Sequence, residues 1–396
     1  MKFLTQFLKI FIVDISFIGI LYFSSGYEAI QMNGTLKLLI LFFFSLTIYF
    51  FSNSSSPILP ILKSSKFYIL IILIILTFLF NLDFLKETMI LLISLFIAFF
   101  VILSMSFYDF IKHYKRIMLF LSIYSLLVFY LALNYPDFIR LFPPSYEREF
   151  FEVYNLGFAF INLASSQVRN MSFFWEPGAF QTFLLISIIF ETFFGKPSLI
   201  NLIIFYFTLL TTLSTAGILV GLLLLFTSLF TLIIKKNLNA LVLIILPFSL
   251  ITLYIIYQFL PYNLQYSFFG KILSIFGNNV DFTAQVRIDS IILPLERFIK
   301  NPLNYFFGIG FNNLKQSVIL QGHDMTTNTP VNWIVGYGIF FFSIILNWIY
   351  KLVKTIPYSR FIKSMVFLIF LLSLSSQNYL WNVPIYSIIM ISNKIK

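Results

Sequence analysis

The sequence predicts an all-α integral membrane protein: one polytopic domain over residues 1–396, with about 11–12 transmembrane helices and two long extracytoplasmic loops. Of its residues 60% are hydrophobic and only 10% are charged, and the mean hydropathy is +0.94. Soluble domains are far less apolar than this. In hydrocarbon, backbone polar groups must be paired internally, and these apolar runs are too long and continuous for the alternating strands of a barrel. Helical spans are therefore expected.

Short polar stretches separate the apolar runs, so the spans can be placed along the chain. The predicted spans are residues 4–23, 36–51, 67–82, 88–107, 117–134, 179–194, 199–213, 217–234, 240–260, 331–350 and 361–376. A further stretch at 379–392 contains Pro384 and is shorter than the roughly 20 residues that a crossing needs. We favour 12 spans over 11. The first span has no convincing cleavage site, so it is interpreted as a retained helix in which Asp14 pairs with Lys9.

The distribution of Lys and Arg over the short loops predicts the orientation. One side carries twelve of them, in the groups Lys63 and Lys66; Lys112, Lys115 and Arg116; Lys196; Lys235 and Lys236; and Lys351, Lys354, Arg360 and Lys363. The short loops of the other side carry only Lys86. The first side is predicted to be cytoplasmic, together with the N-terminus. Both long loops, 135–178 and 261–330, then lie outside the cytoplasmic membrane.

Composition excludes several classes of function. The net charge of +11 reflects the basic cytoplasmic loops, so no nucleic-acid partner is expected. Cysteine is absent, which removes disulfides, thiolate nucleophiles and cysteine metal sites. The chain has only two histidines, without a carboxylate pair at ligand spacing, so neither a metal nor another cofactor is expected.

Most of the polar residues that can carry chemistry lie in the two long loops. Connections of this length are usually functional when they are not disordered, and these loops are rich in aromatic residues. Arginine suits phosphate or diphosphate recognition because its guanidinium presents several fixed donors. A histidine or carboxylate nearby can take a proton from a hydroxyl. These are the parts of a transferase that acts on a diphosphate leaving group.

The most informative stretch is RNMSFFWEPGAF, from Arg169 to Phe180. Pro177 is tolerated at the first helical position and pushes the preceding residue out of the α region, so Glu176 is predicted to lie at the start of a helix. Arg169 comes seven residues earlier, which is two turns if that piece is helical. A guanidinium and a carboxylate are then expected to flank one spot at a membrane surface.

This stretch resembles the Arg–x–Glu–Pro region of the bacterial O-antigen polymerases, the Wzy-type enzymes that polymerise lipid-linked repeat units. Three further segments resemble pieces of the same family, in the same order. They are LSTAGILVGLLLL from Leu213, RIDSIILPLERFIKNPLNYFFGIGFNN from Arg287 and HDMTTNTPVNWIVGYGIFF from His323. The resemblance covers residues 160–345 by motif and nearly the whole chain by helix plan, and it includes the related O-antigen ligases.

The resemblance implies a metal-independent glycosyltransferase in the cytoplasmic (inner) membrane, with its active site facing the periplasm or cell exterior. It would polymerise undecaprenyl-diphosphate-linked oligosaccharide units into O-antigen, capsule or exopolysaccharide. The implied partners are the lipid-linked donor and acceptor, membrane lipids, a chain-length regulator and a flippase. Diphosphate binding maps to Arg169 and Arg287, with Arg297 as a further candidate, and the base to Glu176 or His323. In many relatives Asn directly follows the histidine, whereas Asp324 follows it here.

Each candidate also has a plain structural interpretation. Glu176 can interact with the positive end of the helix dipole, worth ~0.3–1 kcal/mol. Arg169 can pair with Glu176 or reach lipid headgroups. Arg287 can pair with Asp289 or with another carboxylate of the loop. For the two remaining candidates, the alternatives are a solvated helix face for Arg297 and ordinary loop structure for His323.

Alternative functions stay open at this point. An O-antigen ligase would transfer a finished glycan to a lipid or other acceptor. A polysaccharide flippase or transporter would also be polytopic, but it should show ionisable residues inside the membrane and paired halves. A membrane scaffold without enzymatic activity is the remaining alternative.

Overall fold

A computed structural model describes residues 2–52, 65–83, 85–148, 151–163, 168–235, 282–319 and 326–394, and within them the chain is mostly helical. The first helices are α1 (Lys2–Ser25), α2 (Tyr27–Gln31), α3 (Gly34–Phe51), α4 (Ser65–Asn81), α5 (Leu85–Ser104), α6 (Phe107–Asn134) and α7 (Pro136–Ile139). A small sheet follows, formed by β1 (Pro144–Arg148), β2 (Phe151–Asn155) and β3 (Phe160–Asn162). Next come α8 (Pro177–Phe193), α9 (Leu199–Thr211) and α10 (Thr215–Lys235). The last are α11 (Phe282–Ile299), α12 (Asn304–Phe307), α13 (Gly310–Ile319), α14 (Thr329–Lys354), α15 (Arg360–Leu374) and α16 (Val383–Met390), extended by a 3₁₀ turn (Ile391–Lys394).

Five of the described helices, α1, α3, α5, α6 and α14, are long and apolar enough to cross a membrane. The helices α4, α8, α9 and α10 are also apolar and somewhat shorter. These elements agree with the predicted all-α membrane protein. The span predicted at 240–260 lies outside the described residues. The predicted stretch 379–392 forms α16 and its 3₁₀ turn, which together cover about 20 Å, less than the roughly 30 Å of a bilayer core.

The core is arranged around α8. All of its residues are buried except Pro177 and Thr192. A helix that is apolar on every side must be surrounded by other helices or by lipid. The helices in contact with α8 include α6, α9, α10 and α15. The N-terminal end of this central helix is therefore held rigidly, which fixes the position of Glu176.

The helix α6 begins earlier than the predicted span 117–134. Ser106 is its N-cap and accepts a hydrogen bond from Asp109 N at 3.2 Å, and an acidic residue in a first turn suits the helix dipole. The basic stretch at 112–116, predicted as a loop, is therefore part of a helix. The capping signal outweighs the charge of this stretch, and the result is a helix of 28 residues.

The first long loop, 135–178, contains a structure that the sequence prediction lacked, a three-stranded antiparallel sheet in the order β1–β2–β3. Val153 and Phe160 belong to the main core, whereas Tyr154 and Ile161 pack in a second, smaller apolar cluster with residues of α6. Neighbouring residues thus point to opposite faces, as strand geometry requires. The described part of this loop is therefore folded, and it packs against the main core and against α6.

The described part of the second long loop is also folded, as the helices α11, α12 and α13. In α11, Ser290, Pro294 and Phe298 are buried, and their spacing of four residues places them on one face. The start of α13 is fixed by Asp83, which lies between α4 and α5. Its two carboxylate oxygens accept hydrogen bonds from Phe311 N and Asn312 N, at 2.5 and 2.7 Å.

The chain has a Gly–x–Gly motif at Gly308–Gly310 and another at Gly336–Gly338, and the two contact each other through their backbones. Gly308 and Gly338 have φ values of +68° and +85°, a region that glycine tolerates and other residues rarely adopt. A Cβ on Gly308 would lie 2.2 Å from the carbonyl oxygen of Gly336. Ile309 N donates to Val335 O at 2.8 Å, a carbonyl near the point where Gly338 interrupts α14. The crossing joins the second long loop to the interrupted helix.

Candidate functional site

The candidate site begins at the N-terminal end of α8. Glu176 is the N-cap, with φ −161° and ψ 162°, and Pro177 starts the helix. The carbonyl oxygen of Glu176 accepts hydrogen bonds from Ala179 N and Phe180 N at 3.0 and 3.3 Å. Its side chain forms no capping hydrogen bond, so the carboxylate is directed to other groups. The prediction that Glu176 lies at a helix start is confirmed.

The residues before α8 are not helical, so Arg169 and Glu176 are not two helical turns apart. The chain turns at Ser172, which has φ +47°, an uncommon value for a residue other than glycine. Asn170 supports this turn, since its Oδ1 accepts a hydrogen bond from Ser172 N at 3.1 Å. The position of the guanidinium relative to the carboxylate is therefore set by an irregular turn and not by helical periodicity.

The irregular segment is fixed on both sides by hydrogen bonds to other elements. Trp175 N donates to Ser25 O at the end of α1, at 3.1 Å, and Tyr27 N donates to Phe173 O at 2.8 Å. On the other side, Asn170 Nδ2 donates to the hydroxyl of Thr211 in α9 at 3.0 Å. Such fixed surroundings are what a preorganised site requires, because the groups need not reorganise during a reaction.

Arg169 lies at the C-terminal end of α9. Its Nε donates to the carbonyl oxygen of Thr212, the C-cap residue, at 3.0 Å. A cation is favourable there because the carbonyls at the end of a helix are unpaired and carry partial negative charge. Among the described residues, no hydrogen bond is made by either Nη of Arg169. One edge of the guanidinium thus anchors the side chain, and the other edge is not engaged by the described residues.

Arg287 reaches the same region from α11, more than one hundred residues later in the chain. Ser290, one turn further on, has its hydroxyl 2.9 Å from that of Thr327, just before α14. The side chain of Arg287 is exposed. Asp289 accepts instead from Gln285 at 2.8 Å, and no ion pair joins Asp289 to Arg287 in the described part of the chain. Residues two apart on a helix do not face each other, which explains why this predicted pair is absent.

The pKa values of Glu176 and Arg169 show that the charges of this region act on both groups. Burial raises the pKa of Glu176 above its ordinary value, and the guanidiniums of Arg287 and Arg169, with a hydrogen bond to Gln377, oppose part of that rise. Burial lowers the pKa of Arg169, which the Glu176 carboxylate raises and the Arg287 guanidinium lowers further. The structure thus brings together three of the five residues that the sequence singled out.

These groups are near one another without being paired. Across the described residues, no ion pair within 4.0 Å links Glu176 to Arg169 or to Arg287. The positive charges are therefore not cancelled by direct contact with the carboxylate. Two guanidiniums can hold an anion with several negative oxygens, and a carboxylate with a raised pKa is a stronger proton acceptor than an ordinary one.

Gln377 is also part of this site, although it was not among the residues predicted from the sequence. It lies between α15 and α16, its side chain hydrogen-bonds to Glu176, and its Oε1 accepts from Trp175 Nε1 at 3.4 Å. Its backbone carbonyl accepts from both the amide and the hydroxyl of Thr329, at 3.1 and 2.5 Å. The polar tetrapeptide SSQN between two apolar runs was the available signal. Gln377 connects the carboxylate to the start of α14.

Of the remaining two candidates, Arg297 does not join the group around Glu176. Arg297 Nη1 donates to the carbonyl oxygen of Asn313 at 3.0 Å, which ties α11 to α13. It is ten residues beyond Arg287, about 15 Å along the helix. His323, the predicted alternative base, lies outside the described residues, as does Asp324. Asn328, which is described, caps α14 by accepting from Val331 N at 3.1 Å.

Within the described ranges, no cluster of three or more His, Asp or Glu residues could hold a metal ion. The expectation of a metal-independent protein stays a prediction, because His323 and Asp324 are not among those residues. The described groups that remain, two guanidiniums, a carboxylate and an amide, suit binding of an anion and transfer of a proton.

No protein-family model matches this sequence, and no curated protein matches it. The resemblance to the O-antigen polymerases therefore depends on the motifs in the sequence. The geometry around Glu176 is the physical basis on which a function can be proposed.

Proposed function

We propose that this protein is a membrane glycosyltransferase that polymerises undecaprenyl-diphosphate-linked oligosaccharide units into a surface polysaccharide. The observation that carries the proposal is the meeting of Arg169, Arg287 and Glu176 from three separate segments, close enough for both guanidiniums to lower the pKa of Glu176 but without an ion pair that joins either of them to it. A diphosphate leaving group requires cationic groups, and an attacking hydroxyl requires a proton acceptor.

The reaction uses these groups in two roles. An acceptor hydroxyl oxygen attacks the anomeric carbon of the donor glycan, and the bond between that carbon and the diphosphate oxygen breaks. Arg169 and Arg287 stabilise the negative charge that develops on the departing undecaprenyl diphosphate. Glu176 takes the proton of the acceptor hydroxyl. Its pKa is raised by burial, which makes the carboxylate a stronger base than an exposed one.

Contacts with neighbouring residues determine the geometry of the site. The Nε of Arg169 is occupied by Thr212 O, which leaves the Nη edge for the diphosphate. Gln377 holds the Glu176 carboxylate and is itself fixed by Thr329. Catalytic groups that are held by such contacts keep their orientation while charge develops on the substrate. The proposed orientation places this end of the bundle outside the cytoplasmic membrane, where both lipid-linked substrates arrive laterally from the bilayer.

The proposal is tested by changing the shape of the cationic group at each of the two arginines while its positive charge is kept. Arg169→Lys and Arg287→Lys each keep the positive charge but lose the planar fork. We expect long polysaccharide chains to be lost in complemented deletion strains, while the protein inserts at the wild-type level. Arg360→Lys is the control, because Arg360 is exposed at the start of α15. Wild-type chain lengths in both site variants would refute diphosphate binding by these residues.

The same gel distinguishes the alternative functions. Loss of a polymerase leaves single repeat units attached to the final acceptor, whereas loss of a ligase leaves long chains without that acceptor. Loss of a flippase leaves lipid-linked units on the cytoplasmic side.

A further inference from the structure

Trp175 lies directly before Glu176 in the chain and makes a polar contact with Gln377. Its indole Nε1 donates a hydrogen bond to Gln377 Oε1 at 3.4 Å. An indole N–H can only donate, whereas a glutamine amide has an acceptor at one end and a donor at the other. The contact therefore decides which way round the Gln377 amide lies, with Oε1 toward the indole and Nε2 as the end left for other groups.

The donor end of this amide lies beside the Glu176 carboxylate, next to Gly178. A Cβ on Gly178 would lie 2.5 Å from Gln377 Nε2 and 3.5 Å from Glu176 Oε1, so both atoms occupy the space that the missing side chain leaves. The side chains of Gln377 and Glu176 are hydrogen-bonded. An ionised carboxylate can only accept, so the amide must present its nitrogen. An amide turned the other way would place one acceptor oxygen against another.

Both partners of the contact between Trp175 and Gln377 are held by other elements. Trp175 N donates to Ser25 O at 3.1 Å, and the indole ring packs against Tyr379, with ring centroids 5.6 Å apart. The backbone carbonyl of Gln377 accepts from the Thr329 hydroxyl at 2.5 Å. Packing and hydrogen bonds of this kind fix the orientation of the groups that support a catalytic residue.

The other charged or titratable groups that face Glu176 in the described part of the chain are Arg169, Arg287 and Tyr379. The Tyr379 hydroxyl donates to the carbonyl oxygen of Ala179 at 3.3 Å. Burial raises the pKa of Glu176, while the two guanidiniums and the hydrogen bond to Gln377 lower it. Donation by the amide favours the ionised carboxylate, which is the form that a base requires.

We propose that Trp175 is a positioning residue for Glu176, because its indole N–H orients the Gln377 amide so that Nε2 donates to the carboxylate. Trp175 acts through Gln377 and takes no proton itself. The inference rests on the proposed function for the role of Glu176 as the base. The orientation of the amide and its effect on the ionisation of Glu176 can be measured without that function.

The test follows the protonation of Glu176 by infrared spectroscopy of the full chain in detergent. The band of the protonated carboxyl group is identified by subtracting the spectrum of the matching Glu176→Gln variant, and it disappears as the pH rises. Trp175→Phe removes the indole donor and keeps an aromatic ring against Tyr379. We expect its titration midpoint to shift to higher pH, because the carboxylate loses an oriented donor.

Three further variants locate the effect. Gln377→Met removes the amide and should also shift the midpoint to higher pH, and adding Trp175→Phe to it should cause no further shift. Gly178→Ala should act in the same direction, because its Cβ would displace Gln377 Nε2. The matched control is Trp333→Phe, which also removes an indole donor, in this case to the Tyr386 hydroxyl at 3.0 Å, and should leave the midpoint unchanged.

The outcomes separate the positioning role from the proposed function. An unchanged midpoint in Trp175→Phe, or an equal shift in Trp333→Phe, would overturn the role of Trp175. A larger shift in the double variant than in Gln377→Met would show that Trp175 does not act through the amide, and an unchanged midpoint in Gly178→Ala would overturn the amide contact. The infrared titration needs no turnover, so wild-type polysaccharide chains in Glu176→Gln would refute the base and leave the titration result intact.

Discussion

Replacing Glu176 with Gln tests the proposed base with almost no change in shape. Gln is close in size to Glu and can still hydrogen-bond to Gln377, but it cannot accept a proton at neutral pH. Burial raises the pKa of Glu176 in the folded protein. The folded state therefore favours the protonated carboxyl, and this contribution to stability is present below the ordinary pKa of about 4.3 and lost as the pH rises through the raised value.

Two effects of opposite sign follow from this. The loss of a general base typically slows a reaction by about 10²–10⁴-fold, which corresponds to roughly 3–5 kcal/mol of barrier height. Stability should change in the other direction, because Glu176→Gln removes the cost of burying a charge. We expect the variant to be at least as stable as the wild type at pH 7, with an advantage that shrinks as the pH falls toward 4.

The assays are the length distribution of surface polysaccharide in complemented deletion strains, normalised to the protein level, and thermal unfolding in detergent at several pH values. Glu152→Gln is the control, since Glu152 lies in β2, where it accepts from the Tyr154 hydroxyl at 2.5 Å. The control should leave long chains unchanged. Wild-type chains in Glu176→Gln would refute the role as base, and a destabilised variant at pH 7 would show that Glu176 serves as an ionic partner of the arginines.

Two further predictions concern the fold and the orientation. Gly308→Ala should lower the free energy of unfolding by about 2–4 kcal/mol, because its Cβ would meet the Gly336 carbonyl and its φ is positive. The measurement is thermal unfolding in detergent. Gly34→Ala is the control and should leave the stability unchanged, because a Cβ there would have its nearest neighbour at 3.7 Å. A cysteine at the exposed Ser145 should react with an impermeant thiol reagent in intact spheroplasts, whereas one at Lys354 should not. The chain has no native cysteine, and the reverse labelling pattern would invert the orientation.

The start of α8 could be predicted from sequence because its signals are local. Pro177 restricts the backbone on both sides, and the apolar run after it is continuous, so the position of Glu176 follows from neighbouring residues. The apolar helices were predictable for the same reason, since length and hydrophobicity are properties of single segments. The ends of helices were harder to predict. The helix α6 begins at Phe107 because Ser106 caps it, but the charged residues that follow made this stretch resemble a loop.

The small sheet was hard to predict because little in the sequence indicates it. Its strands are three to five residues long, and a strand depends on its partner for hydrogen bonds, whereas a helix satisfies its own. The pairing of Val153 with Asn162 is thus a property of the folded loop. The same holds for Asp14, whose partners His113 and Arg116 lie on another helix.

Sequence by itself determined the class of the protein, the helix start at Glu176 and the residue types of the candidate site. Only the tertiary structure decided which of them meet. Arg169 approaches Glu176 through an irregular turn, Arg287 arrives from α11, and Gln377 comes from the connection between α15 and α16. The physical reason is that local rules act over a few residues, whereas these contacts join segments up to two hundred residues apart and depend on how the helices pack.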